Sequence, residues 1–239
     1  MCNYVKLKIY KEKTYLLYIS TSMENTNLKT LLRLFPYISD KKRASRLKID
    51  DDSIHFISLR EVANKITSII TYHLNKINID INNISITDAT AGVGGNTLSF
   101  GMNFKTVNAI ELDDTRYEYL INNINIYDLQ NIDTYNDDCM TILPKLTNQN
   151  VVFIDPPWGG KDYKNFKKLK LSLSSTSIED LCNNLMDPEK NISCPELILL
   201  KLPTNYDVEF LFTNVNSNSI YLHELKKMLI IAIVNNKME

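Results

Sequence analysis

The spacing of apolar residues changes character along the 239-residue chain. In residues 4–19, Val5, Leu7 and Ile9 alternate with polar positions, and a second apolar run, Tyr15 to Ile19, follows Lys11-Glu12-Lys13, which predicts a β-hairpin. Residues 20–27 are polar and read as a linker. Leu28, Leu31, Leu32, Leu34 and Phe35 then fall at helical spacing, so a helix should begin at Leu28 and stop near Pro36, ahead of the basic stretch KKRASRLK. Ser58-Leu-Arg-Glu61 has the form of a capping box, and Val62, Ile66, Ile69, Ile70 and Leu74 continue one face behind it, predicting a helix over 58–76.

Beyond that point strands and helices alternate. Strands are expected at 84–88, 106–112, 132–135, 151–155 and 197–202, and helices at 96–102, 114–127 and 177–185. Residues 220–225 and 228–234 form a closing antiparallel pair turned at Lys226-Lys227. This order predicts an α/β fold: a seven-stranded, mostly parallel sheet with helices on both faces and a terminal antiparallel hairpin. The expected division is an N-terminal extension over 1–57, carrying the hairpin, a helix and the basic segment 41–48, followed by the main domain over 58–239.

Composition narrows the function. Apolar residues make up 44% and charged residues 23%, values suited to a packed core. The longest apolar run, Met228 to Val234, is far shorter than the roughly 20 residues that span a bilayer, and the charged N-terminus does not resemble a secretory signal. Four scattered cysteines without a C-x-x-C pair, and three histidines far apart in sequence, favour neither a disulfide scaffold nor a zinc site. The expectation is an intracellular protein, cytoplasmic or nuclear, without metal or membrane and monomeric. The net charge of −1 argues against a general nucleic-acid coat but leaves room for a local phosphate-binding patch.

Only six glycines occur, and they fall in two groups. The first lies in Ile86-Thr-Asp-Ala-Thr-Ala-Gly-Val-Gly-Gly-Asn-Thr97, which leaves an expected strand and opens a helix. Such a loop, here Asp88, Ala89, Gly92, Gly94, Asn96 and Thr97, places backbone groups against a ligand at the carboxyl end of a sheet. About 20 residues on, Glu111 ends the next strand, where an acid can accept from both ribose hydroxyls. The spacing is not G-x-G-x-x-G, and Asp88 would repel a pyrophosphate while suiting a cationic cofactor with an amino-acid tail. That favours S-adenosylmethionine over NAD. Asp138, after the third strand, is then placed to accept from the adenine amino group.

The second group follows the strand ending in Asp155: Pro156-Pro157-Trp158-Gly159-Gly160. An acid or amide before Pro-Pro-aromatic is the pattern of methyltransferases acting on planar amino groups. An amine conjugated to a ring is a poor nucleophile, so rate must come from holding it in line with the methyl–sulfonium bond. Pro156 and its neighbour stiffen the backbone, Asp155 can accept an amine hydrogen, and Trp158 can stack on the ring.

Taken together, Asp88-Ala-Thr-Ala-Gly-Val-Gly-Gly-Asn-Thr97, Ala109-Ile-Glu-Leu-Asp113, Pro156-Pro-Trp-Gly-Gly-Lys-Asp-Tyr163 and Leu202-Pro-Thr-Asn-Tyr-Asp207 resemble the RNA cap guanine-N2 methyltransferases, the trimethylguanosine synthase family. The resemblance runs from about Leu47 to the C-terminus. It implies a Rossmann-like class I fold, S-adenosylmethionine as donor, and the 2-amino group of a 7-methylguanosine-capped RNA or cap dinucleotide as acceptor. Trp158 would stack on the 7-methylguanine, Tyr163 and Lys161 would lie near the cap phosphates, and Asn205 would belong to the acceptor site. A cationic base over an indole gives a physical reason for prior N7 methylation. The chain departs from the family in two places: Asp155 replaces the usual Ser, and Thr204 replaces an Arg.

Two basic runs remain, Lys41 to Lys48 and Lys161 to Lys170. The second starts one residue after the Gly-Gly pair, where a cap triphosphate would emerge; for both, a merely solvated face is the competing reading. His55, His73 and His223 read as isolated and are assigned no chemistry, and Cys139 reads as a small apolar filler. N6-adenine methylation, favoured by Asp155, and a catalytically silent cap-binding module stay open beside guanine-N2 methylation.

Overall fold

The computed structural model describes residues 27–160 and 162–235. The hairpin expected at 4–19 lies outside the described residues. From Ser85 onward the chain alternates as its apolar pattern predicts: β1 (Ser85–Asp88), α5 (Gly95–Gly101), β2 (Thr106–Glu111), α6 (Asp114–Tyr127), β3 (Ile132–Asn136), α7 (Cys139–Ile142) and β4 (Val151–Ile154). A two-stranded ribbon, β5 (Ser172–Leu173) and β6 (Thr176–Ser177), precedes α8 (Ile178–Leu185), β7 (Leu197–Pro203), α9 (Val208–Asn214), β8 (Ile220–Leu225) and β9 (Met228–Val234). Ahead of β1 come α1 (Leu28–Leu34), α2 (Lys41–Ala44), α3 (Ser53–Phe56) and α4 (Arg60–Lys76).

Seven strands join in the order β3-β2-β1-β4-β7-β9-β8. All neighbours are parallel except β9, which runs antiparallel to both β7 and β8. The strands β1, β4 and β7 are buried throughout in a sheet covered on both faces; β4 and β7 show it as apolar runs, whereas β1 buries Ser85, Thr87 and Asp88 beside Ile86. One face carries α4, whose Ile66, Ile70 and Leu74 pack on Ile86, Phe153 and Leu199, together with α5 and α6. The other carries α8 and α9, with Leu181, Leu185 and Leu211 against Ile154, Leu200 and Ile231. The strand order reverses between β1 and β4, and α/β sheets open a ligand crevice at that point, beyond the strand carboxyl ends.

The segment before α4 is packed into this framework. Leu31, Leu34, Phe35, Leu47 and Ile49 share a core with Leu120 and Ile124 of α6. Asn123, fully buried on α6, donates to the carbonyls of Lys48 and Val93 and accepts from the Lys48 N–H. One amide thereby ties the N-terminal segment to the glycine loop.

Two expectations are corrected here. Ser58 does not cap a helix: α4 starts at Arg60 after Leu59, and the Ser58 hydroxyl instead accepts from the Asn96 amide at 3.2 Å. His73 and His223 are not isolated, because α4 and β8 bring their Nε2 atoms to 2.8 Å. Burial, with the neighbouring His223 and Lys76, lowers the His73 pKa to about 4.

Candidate active site

Asp88 ends β1 almost wholly buried, 1% exposed. Its Oδ2 accepts from the Thr97 hydroxyl at 2.7 Å, and its Oδ1 faces the Thr90 N–H at 3.4 Å. Burial without a cation pushes its pKa up to about 7 against these two hydrogen bonds. The loop that follows turns back over the sheet. Gly94 enters α5 at φ +101°, and a Cβ there would lie 3.0 Å from Leu120, so both backbone and space require glycine. The Gly92 N–H donates to Glu111 Oε2 at 2.7 Å, and Glu111 Oε1 accepts from the Asp113 N–H at 3.0 Å. The acid at the end of β2 is thus fixed against the glycine loop.

Asp138 caps α7, accepting from the Met140 N–H at 2.9 Å, while its other oxygen accepts from the Ser174 hydroxyl at 2.7 Å. Ala89 and Thr97 are buried inside the loop, and Asn96 is held by Ser58. The donor chemistry fits S-adenosylmethionine. Among the described residues no cation meets the buried Asp88, as an ammonium-bearing ligand needs, and Glu111 and Asp138 are acceptors on the next two strand ends. Among the described residues, no three His, Cys, Asp or Glu side chains gather to hold a metal. No helix among them is long and apolar enough to cross a membrane.

Across the strand switch, β4 delivers Asp155. Its backbone N–H donates to the Thr90 hydroxyl at 2.8 Å, stitching the acceptor loop to the cofactor-side loop. Its Oδ2 receives the Lys201 ammonium at 2.5 Å, with side chains 18% and 4% exposed respectively. Burial lifts the Asp155 carboxyl above its ordinary value, and the Lys201 charge opposes that shift. Pro156 is buried and Trp158 half-buried. The indole N–H donates to the Lys201 carbonyl at 3.4 Å, and Tyr163 meets the indole edge-on with ring centroids 5.3 Å apart. The Asn205 amide donates to the carbonyls of Tyr163 (2.7 Å) and Phe166 (2.8 Å), pinning the loop that leaves Gly159 and Gly160.

The structure therefore gathers Asp155, Pro156, Trp158, Tyr163 and Asn205 on one side of the switch and Asp88, Ala89, Gly92, Gly94, Asn96, Thr97, Glu111 and Asp138 on the other. Lys161 lies outside the described residues. Lys168, counted in the basic tract, is engaged by Glu209 at 2.8 Å and Asp207 at 3.8 Å, so it is no free phosphate partner. Sequence reasoning missed Thr90 and Lys201. Lys201 did leave a signal: it is the only charge in Leu197-Ile-Leu-Leu-Lys-Leu-Pro203, an otherwise apolar central strand.

The sequence profile described as RNA cap guanine-N2 methyltransferase matches residues 83–239. The chain belongs to this family. An uncharacterised protein of Acanthamoeba polyphaga mimivirus, L320, is 37% identical over 230 residues, covering 88% of each chain. Among solved structures, a putative methyltransferase of Porphyromonas gingivalis W83 aligns with a TM-score of 0.54 at 15% identity, over 89% of this chain and 55% of its own. The putative methyltransferase yhhF of Escherichia coli gives 0.50 at 20% identity, over 71% of this chain and 85% of its own. These likenesses establish the fold, a Rossmann-like class I methyltransferase sheet. Membership of the cap guanine-N2 methyltransferase family makes the chain an S-adenosylmethionine-dependent methyltransferase.

Proposed function

We propose that the chain methylates the exocyclic N2 amine of a 7-methylguanosine RNA cap, giving 2,7-dimethylguanosine and, on a second transfer, the 2,2,7-trimethyl form. The observation that carries the reading is Trp158, the sole tryptophan, standing beside a partly buried acid and a Pro-Pro turn directly across from the cofactor loop. Asp88 would take the cofactor's ammonium, Glu111 its ribose hydroxyls and Asp138 its adenine amine. When bound, S-adenosylmethionine supplies a methyl carbon on a positive sulfur; the amine lone pair forms the N–C bond while the S–C pair stays on sulfur.

The chain's own residues place the amine and receive its proton. The indole face attracts a 7-methylguanine through both apolar area and charge. Because Asp155 neutralises Lys201 beside the ring, the pair presents little net charge to a cationic base. Asp155 accepts one amine hydrogen and takes the proton that nitrogen must lose. Tyr163, on the loop held by Asn205, would meet the cap phosphates, and Lys161 would join it.

Asp155 in place of the family's usual Ser favours one second reading, transfer to the 6-amino group of adenine. Labelled methyl transfer to 7-methyl-GTP, GTP and an adenine-containing oligonucleotide separates the readings. Label in 7-methyl-GTP is expected; label in the oligonucleotide alone would promote the adenine reading, and label in none would leave a silent binding module.

A further inference from the structure

Lys201 has no counterpart among the expected site residues, yet it touches both halves of the acceptor site. The β4–β7 register puts Val151 beside Leu197 and Ile154 beside Leu200, so one step further along places Asp155 beside Lys201 on the same face. From there the ammonium holds Asp155 Oδ2, the carbonyl of the same residue holds the indole N–H, and Nζ lies over the Trp158 ring at 5.6 Å. Among the described residues no hydrogen bond reaches Asp155 Oδ1. A charge this buried would be costly in an apolar strand without its counter-ion, and replacing such pairs by apolar residues is often neutral or stabilising. Stability alone therefore gives little reason for the pair.

We infer that Lys201 is a positioning residue for methyl transfer: it occupies one oxygen of Asp155, keeps that carboxyl ionised, and leaves the other oxygen as the acceptor of the amine proton. The inference rests on the acceptor reading above. A neutral carboxyl could not take the proton that leaves nitrogen as the N–C bond forms, so activity depends on the ionised form. The charged groups facing Asp155 are Lys201 from β7 and Asp88 from β1, with Glu111 on β2 reaching Asp88 in turn. Among the described residues, Lys201 is the one cation that favours ionisation of Asp155.

The test follows the Asp155 carboxyl by ¹³C NMR in the full chain without acceptor, and the pH profile of kcat/KM for 7-methyl-GTP with saturating cofactor. Lys201→Met should raise the Asp155 midpoint by about one to three units and move the acid limb of the rate profile by the same amount. Lys201→Arg should bring both most of the way back. If Lys201→Met is too unstable to titrate, Lys201→Gln should show the same upward shift, since it keeps a donor and loses the charge. A merely structural lysine would lower activity at every pH and leave both midpoints in place, and that result overturns the inference. If the unmodified chain transfers nothing to 7-methyl-GTP, the acceptor reading falls, while the carboxyl titration still decides for or against Lys201.

Discussion

Asp88 and Asp155 stand at the carboxyl ends of adjacent strands, Asp88 buried and Asp155 partly so, and the protein compensates them differently. Asp88 has only a hydroxyl and a weak backbone contact, so burial carries its pKa to about 7. Asp155 has a built-in cation at 2.5 Å, which opposes the same burial. An acid left uncompensated waits for a ligand that brings positive charge, as a methionyl ammonium does. An acid compensated in advance suits an acceptor group that arrives as a neutral amine. On the proposed reading, the difference separates cofactor capture from acceptor handling at two points joined by Thr90.

The largest effect should come from breaking the compensated side. Asp155→Ala leaves the Lys201 ammonium buried and unpaired, which should cost about 3–5 kcal/mol of stability. Asp88→Asn keeps the Thr97 contact and removes a desolvated charge, so at pH 8 it should leave the chain no less stable than the parent and should stabilise it. Urea unfolding of the cofactor-free variants checks the ordering; equal losses would erase the distinction.

The next effect concerns Asp88 and pH. Its folded pKa, about 7, lies above its ordinary 3.8. Its contribution to stability is therefore full below about 4 and lost as pH rises to about 7. Cofactor binding requires the charged form, so affinity should fall about tenfold per unit below pH 7 and level off above it. In calorimetry, Asp88→Asn and Glu111→Ala should each weaken binding at least about tenfold, and Asp88→Asn should flatten the pH dependence. An unchanged pH slope in Asp88→Asn would contradict the assignment. The His73–His223 pair acts on stability with the opposite sign. With His73 lowered from 6.5 to about 4, its stabilisation is present above 6.5 and lost as pH falls toward 4.

Much of the sheet could be read from the sequence because strands buried on both faces leave continuous apolar runs, as Leu197 to Leu202 does. Helix α6 kept its expected bounds because Asp113 caps its first turn, accepting from the Arg116 N–H, and Asp128 ends it in the left-handed region. The four-residue helices α2, α3 and α7 and the seven-residue α9 escaped, being too short to show a helical period. Ser58 carried a sound local signal for a cap, but tertiary structure claimed its hydroxyl for Asn96. Asp88 and Glu111, proposed for the cofactor, were visible as acids closing their strands. Lys201 stood out as a lone charge, but its partner could not be read because it is set by register between β4 and β7, and the His73–His223 contact spans 150 positions.

The smallest effect should be on the basic tract. Lys161→Gln and Lys164→Gln should raise KM for 7-methyl-GTP a few-fold more than for 7-methylguanosine, with the difference shrinking as salt rises. Lys168→Gln should do neither, because its charge is already met by Glu209 and Asp207. Steady-state kinetics with the two acceptors checks this. A large effect at Lys168 would mean that its acidic partners release it on binding.

The central claim is that this site reads a cationic guanine through Trp158, and kcat/KM for 7-methyl-GTP against GTP tests it most directly. The charge-dependent part of stacking is about 0.5–2 kcal/mol, so the intact chain should prefer 7-methyl-GTP by roughly 2- to 30-fold. Trp158→Ala should lose the rate and most of that preference, and Trp158→Phe should keep part of each. Cofactor affinity should survive in both variants, since the indole stands on the acceptor side. Equal use of GTP and 7-methyl-GTP by the intact chain, or full activity and unchanged selectivity in Trp158→Ala, would contradict the account.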